Sequence, residues 1–278
     1  MRWLHRLFPR NKPHIPEPLW QDCVQRLHFL ERLSASDLDR LKALSETLLD
    51  KKPITGAGGF EVTDEIAVLI AIQASLIVLN LTLDLYDDMA GIIVYPSAFV
   101  VQQREVDEAG VVHEWREPLA GEAMEAGGAV ILSWEDAECT QAVTAGQNLV
   151  IHEFAHKIDM GRGAANGCPP FLDAYHHGAD VKSWQQSFST GYAHFINRVY
   201  ALDGQLPEDF DLDQPANAAH YDALIATLPM DPYAATHPAE FFAVASESFF
   251  VRPQPLAADY PEIYRLLSDY YRQQPLSL

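Results

Sequence analysis

Residues 143–160 read VTAGQNLVIHEFAHKIDM, and within them His152-Glu153-Phe154-Ala155-His156 has the form H-E-x-x-H. Val150, Ile151, Phe154, Ala155 and Ile158 recur at helical spacing, with Gly161 and Gly163 as a stop. The pattern predicts a helix over 143–160 that is buried on most sides. Positions i and i+4 of a helix lie one turn apart on the same face, so both imidazoles can reach a single ion. Glu153 sits beside the first of them, where its carboxylate can reach a water at the metal without taking a coordination position, and so can serve as general base. The bland alternative is a pair of hydrogen-bonded core histidines. Against it, two histidines and a glutamate on a buried helix need partners, which a metal supplies.

A catalytic zinc site needs a third protein ligand and a fourth position open to water. Asp159 lies one turn beyond His156, but a third ligand on the same helix is stereochemically awkward. It reads instead as an acceptor for an imidazole N–H, or as a plain carboxylate near the helix end. Downstream, Thr236-His237-Pro238-Ala239-Glu240-Phe241-Phe242-Ala243 places a proline at the first position of a helix and Glu240 in its first turn. A first-turn acid can simply cap a helix and complement its dipole. Phe241, Phe242, Val244, Ala245, Phe249 and Phe250 predict a buried helix, in which such a carboxylate suggests a ligand. On the residues alone both readings stand. Glu247, two turns further along the same face, is placed to orient a histidine.

The 278 residues suffice for one large domain or two modest ones sharing a core. The net charge of -20, from 39 acidic and 19 basic residues, makes nucleic acid and anionic membrane surfaces poor partners. It suits a basic patch on a protein partner, or solubility alone. Cys23, Cys139 and Cys168 lie far apart and form no CxxC pair, which points to a reducing compartment without a disulfide framework or thiolate zinc site. The basic start MRWLHRLFPRNKPH runs into proline and polar residues, so no signal peptide is visible. Ile66–Leu83 is apolar enough to raise a membrane span. Gln73, Ser75, Asn80 and Thr82 inside it and Asp64, Glu65 and Asp84 at its ends favour a buried core helix.

Outward from the motif, residues 1–16 read as a tether and Pro18–Leu49 as helical with a break at Ser34–Asp37. Lys51–Thr63 reads as a glycine- and proline-containing turn region, followed by the core helix over 64–83. GIIVYPSAFVV (91–101) reads as a strand broken at Pro96, with further strands at Val111–Arg116 and Ala129–Trp134 around a glycine-rich link. Beyond the motif helix comes a helix-and-loop region to Met230, containing the acidic segment LPEDFDLDQP (206–215) as a solvated loop. Helices over 238–250 and 261–271 close the chain. This order predicts an α+β fold, helix-dominated, with a small sheet beside the metal-binding helix.

HEFAHKIDM (152–160), DPYAATHPAE (231–240) and PAEFFAVASESFF (238–250) together resemble the Mlc titration factor A family of bacterial metallopeptidases. Its metal site is related to that of the anthrax lethal factor peptidase domain. The similarity extends from about Pro16 to Pro275 and includes GFEVTDEIAVLIAIQA, AVILSW and YPEIYRLLSDYYRQQP. It implies a zincin-like peptidase domain over 17–278, with 17–142 supplying the first helices and the sheet and 143–278 the ligand helices. It implies one zinc ion per chain held by His152, His156 and Glu240 in a gluzincin-type site, with Glu153 as base. It also implies Tyr233 as the phenol that donates to the oxyanion of the tetrahedral intermediate. The family further implies aminopeptidase-like activity on peptide substrates, a cytoplasmic location and binding to a transcriptional repressor of the Mlc type. The chain departs from the family between about 204 and 230, where it is longer. Two competing functions are a non-catalytic zinc protein that sequesters a regulator, and a membrane-embedded peptidase using 66–83 as its span.

Overall fold

The computed structural model describes residues 14–97, 99–106, 112–119, 121–123, 128–142, 146–207 and 210–276. Residues 1–13 of the tether expected over 1–16, and the expected helix start at 143–145, lie outside them. The helices are α1 (Glu17–Arg26), α2 (Ala35–Lys51), α3 (Asp64–Ile77), α4 (Trp134–Ala142), α5 (Leu149–Asp159), α6 (Val181–Asp203), α7 (Pro215–Ile225), α8 (Pro238–Val251), α9 (Pro253–Asp259) and α10 (Pro261–Tyr271). The strands are β1 (Ile54–Gly56), β2 (Ile92–Tyr95), β3 (Phe99–Val106), β4 (Val112–Leu119), β5 (Gly121–Ala123) and β6 (Val130–Ser133). The result is a helix-dominated α+β fold with a small sheet.

α3 is the central post. Thr63 caps it by accepting from the Ile66 N–H, and every residue from Ile66 to Ile77 is buried, Gln73 and Ser75 included. It ends at Ile77, earlier than the apolar run suggests. Asn80 and Thr82 favour turns, and Thr82 caps a 3-10 turn over Leu83–Tyr86. At 1.5 Å per residue α3 is about 21 Å long, short of the ~30 Å of a hydrocarbon core. No helix among the described residues is long and apolar enough to cross a membrane.

The sheet has the order β1-β2-β6-β5, with β1, β2 and β6 parallel and β5 antiparallel to β6 at the edge. β3 and β4 form a separate antiparallel ladder. The chain does break near Pro96, between β2 and β3. Two strands escaped the sequence reading: β1, inside the expected turn region, and β5, inside the glycine-rich link. Each is three residues long, too short for an alternating pattern to show.

α5 begins at Leu149 and not at 143, because Asn148 caps it with a side-chain oxygen and Gly146 sits at φ +87°. α5 packs against α3, α8, β5 and β6. Ile15 is buried and donates its backbone N–H to Glu46 at 3.0 Å, so the packed body starts ahead of the tether boundary expected at residue 16. The described residues of the acidic segment ahead of α7, 206–207 and 210–214, form turns, and α7 buries none of its residues. The stretch over 204–230 therefore carries a helix that lies on the surface. Buried side chains from both halves of the chain, Leu69 and Ile72 of α3 through Phe154 of α5 to Phe242 and Phe249 of α8, form one apolar cluster.

Candidate metal centre

α5 carries His152 and His156 one turn apart, and the first turn of α8 carries Glu240 opposite them. His237 caps α8 by accepting from the Ala239 N–H, and Pro238 occupies the first helical position. The Glu240 carboxylate faces the imidazoles: Oε2 lies 3.1 Å from His152 Nε2 and 3.0 Å from His156 Nε2. The two Nε2 atoms are themselves 3.0 Å apart. The three residues form a group able to hold a metal ion. Around a tetrahedral zinc with bonds of about 2.0–2.1 Å, ligand atoms stand about 3.3 Å apart, and this triangle is within about 0.3 Å of that on every edge.

The donor chemistry agrees with the spacing. His152 Nδ1 lies 2.6 Å from Glu247 Oε1, which fixes the ring so that its Nε2 faces Glu240 and His156. Burial disfavours an imidazolium at His152, yet the Glu247 and Glu240 carboxylates outweigh it and hold its pKa well above the ordinary value. Burial likewise pushes Glu240 up, but His152 and His156 pull its carboxyl well below the usual carboxylate range. The pocket favours positive charge at the place where the three donors converge.

Glu153 is 3% exposed, and its Oε2 finds no hydrogen-bond donor among the described residues. Burial pushes its carboxyl up to about 7, against the pull of His152 and His156. A carboxyl poised near neutrality can both take and return a proton. Tyr233 stands on a 3-10 turn over Pro232–Ala235 that leads into α8. The residue is 52% exposed and its ring centroid lies 6.1 Å from that of His152.

Of the expected supporting carboxylates, Glu247 does meet a histidine, and its other oxygen accepts from the Asn148 N–H at 2.5 Å. Asp159 does not. Its Oδ2 accepts from the Asn166 and Gly167 N–H groups at 2.8 and 2.7 Å, while its Oδ1 and His156 Nδ1 each find no hydrogen-bond partner among the described residues. The turn it pins is tight: Gly167 has φ +80°, and a Cβ there would fall 2.7 Å from the Pro238 carbonyl oxygen. Asp159 thus secures the loop beneath the first turn of α8, where Glu240 sits. A cleft of about 410 Å³ lies beside that turn, lined by Gly167, Phe188, Tyr192, Pro238 and Phe241 among others. A larger cavity, about 1300 Å³, lies elsewhere, between the start of α2 and the end of α10, and His152, His156 and Glu240 do not line it.

Residues missed by the sequence reading are Gln73, Gln147, Asn148 and Asp231. Two left a signal: Asn148 as an asparagine directly before an apolar helical run, and Gln73 as an amide inside the apolar α3.

The sequence pattern of the family described as glucose-regulated metallo-peptidase M90 matches residues 1–272. An uncharacterized protein of Synechocystis sp. is 34% identical, covering 98% of this chain and 88% of its own. The Mlc titration factor A of Serratia proteamaculans is 32% identical over 93% of this chain and 88% of its own. That of Salmonella arizonae is 33% identical over 92% of this chain and 91% of its own. With the family pattern covering nearly the whole chain, this protein belongs to the glucose-regulated metallo-peptidase M90 family.

Proposed function

We propose that this chain is a zinc-dependent peptidase of the gluzincin type, with His152, His156 and Glu240 as metal ligands, Glu153 as general base and Tyr233 as oxyanion donor. The observation that carries the reading is the convergence of two imidazole Nε2 atoms and a carboxylate oxygen, with the other ring nitrogen of His152 held by Glu247. Two nitrogens and one oxygen in this arrangement suit zinc, whose catalytic sites leave a fourth position open. A bound zinc ion would supply Lewis-acid chemistry, lowering the pKa of a water and polarising the scissile carbonyl. Glu153 takes the proton of the attacking water as its oxygen bonds to the carbonyl carbon, and passes it to the leaving amine as the C–N bond breaks. The Tyr233 phenol donates a hydrogen bond to the carbonyl oxygen as negative charge grows there, and its exposure leaves it accessible to substrate.

Residues 17–278 act as one metallopeptidase domain in this reading, and its location is cytoplasmic. Aminopeptidase-like action follows the family resemblance. Relatives named Mlc titration factor A support a second role, binding of a transcriptional repressor of the Mlc type, to which the charge of -20 would present an acidic surface. The test is metal analysis of the purified protein with a peptide-library assay, with and without chelator, on wild type and Glu153→Gln. The peptidase reading expects one zinc per chain in both proteins and chelator-sensitive hydrolysis in the wild type alone. Equal hydrolysis by the variant would move the activity elsewhere. If both are inert yet bind a regulator, the chain is a sequestering protein.

A further inference from the structure

Two consecutive residues ahead of α5 reach out to different parts of the site. Asn148, 1% exposed, makes four hydrogen bonds. Its Oδ1 accepts from the Ile151 N–H at 2.9 Å, and its carbonyl accepts from the His152 N–H at 2.9 Å. Its own N–H donates to Glu247 Oε2 at 2.5 Å, and its Nδ2 donates to Gln73 Oε1 on α3 at 2.7 Å. The other Glu247 oxygen accepts from His152 Nδ1. A closed circuit thus runs from Asn148 through Glu247 to the His152 ring and back through the His152 backbone. Gln147 faces the other way. Its Nε2 donates to Asp231 Oδ2, and Asp231 Oδ1 accepts from the Tyr233 N–H at 2.8 Å.

We propose that Gln147 and Asn148 are positioning residues that register the metal-binding ring of His152 and the turn bearing Tyr233 against one another; this rests on the roles given to both under the peptidase reading. A helix cap alone would need only the side-chain oxygen, and serine or aspartate supplies one equally well. Asparagine is the residue that both caps α5 and donates to Gln73: aspartate has no hydrogen to give and serine is too short. Asn148 therefore locks the start of α5 to α3 while its backbone fixes the Glu247 carboxylate. Gln147 ties the neighbouring residue to the turn from which Tyr233 projects. The metal ligand and the phenol come from segments about 80 residues apart, and this dipeptide is hydrogen-bonded to the supports of both.

The experiment uses the full chain with zinc, and three readings: zinc affinity by competition with a chromophoric chelator, hydrogen–deuterium exchange over 231–236, and kcat and KM on a peptide. Gln73→Leu and Asn148→Ser, the latter keeping a capping oxygen, are expected to weaken zinc binding by about tenfold, the lower end for loss of a supporting contact. A merely structural cap predicts instead that Asn148→Ser binds zinc as the wild type does, and that result overturns the role of Asn148. Gln147→Ala is expected to keep zinc affinity, speed exchange over 231–236 and lower kcat several-fold with KM little changed. In a Tyr233→Phe background it should lower kcat no further, since the group it positions is gone. Unchanged exchange over 231–236, or losses that multiply independently, would overturn the role of Gln147. If the wild type proves inert on peptides, the peptidase reading fails by itself, while affinity and exchange still decide the positioning roles.

Discussion

Replacing Glu247 by glutamine tests the metal centre at the carboxylate that supports it. Glu247 is buried and its two oxygens accept from two different donors, His152 Nδ1 at 2.6 Å and the Asn148 N–H at 2.5 Å. A glutamine of the same shape has one acceptor oxygen and an NH₂ group, so it can serve one donor and must set its own hydrogens against the other. A buried donor left unpaired costs about 1–3 kcal/mol. At roughly 2 °C per kcal/mol for a chain of this size, the metal-free variant should melt about 2–6 °C below the wild type. The loss of the charge-assisted bond also frees the His152 ring to rotate and to change tautomer. Loss of such a supporting partner weakens metal binding by about 10–100-fold, equivalent to about 1.4–2.8 kcal/mol. The assay is zinc competition against a chromophoric chelator at fixed pH, paired with thermal melts of the metal-free proteins. Zinc affinity within about twofold of wild type, together with an unchanged melting temperature, would refute the claim that Glu247 holds His152 in its ligating form.

The other predictions concern the remaining groups. Glu240→Ala should weaken zinc binding and lower activity with it, as measured by metal content after dialysis, whereas Tyr233→Phe should keep its zinc and its KM while kcat falls by about one to three orders of magnitude. A Tyr233→Phe protein that loses zinc or keeps its full kcat would show the phenol's role to be misassigned. Stripping the metal with chelator should lower the melting temperature, and titrating zinc back should raise it with the logarithm of free zinc; a melt indifferent to zinc would argue against a site in the folded state. Cys23 is 0% exposed and burial pushes its thiol up to about 12, so peptide mapping after brief alkylation of the native protein at pH 8 should find it unmodified, and modification before unfolding would contradict its placement.

Much of the site was legible because it is local. The i, i+4 histidines and Glu153 need only a helix, and the apolar residues around them announce one. The proline before Glu240 likewise marked the start of α8. Short elements were not legible: β1 and β5 draw their stability from neighbouring strands and carry no pattern of their own. The start of α5 was read six residues too early, since VTAG ahead of it offers no helix breaker until Gly146 takes a positive φ. Asp159 was open between an imidazole acceptor and a plain carboxylate near the helix end, and the Asn166-Gly167 turn folds back onto it and takes one of its oxygens.

What the sequence by itself determined is the pair of imidazoles on one helical face, the buried character of α3, α5 and α8, and the excess of negative charge, because each follows from residue type and helical period. Whether Glu240 is a helix cap or a ligand was open in the sequence, since a first-turn carboxylate suits both. The tertiary structure turns it toward His152 and His156 by packing α8 against α5. Only tertiary packing, of α8 and α3 against α5, brings Glu247 to His152 Nδ1, Asn148 to Gln73 and the Tyr233 turn to Gln147. These contacts join residues from 75 to 99 positions apart, and no periodicity along the chain encodes a meeting made by helices closing over a shared core.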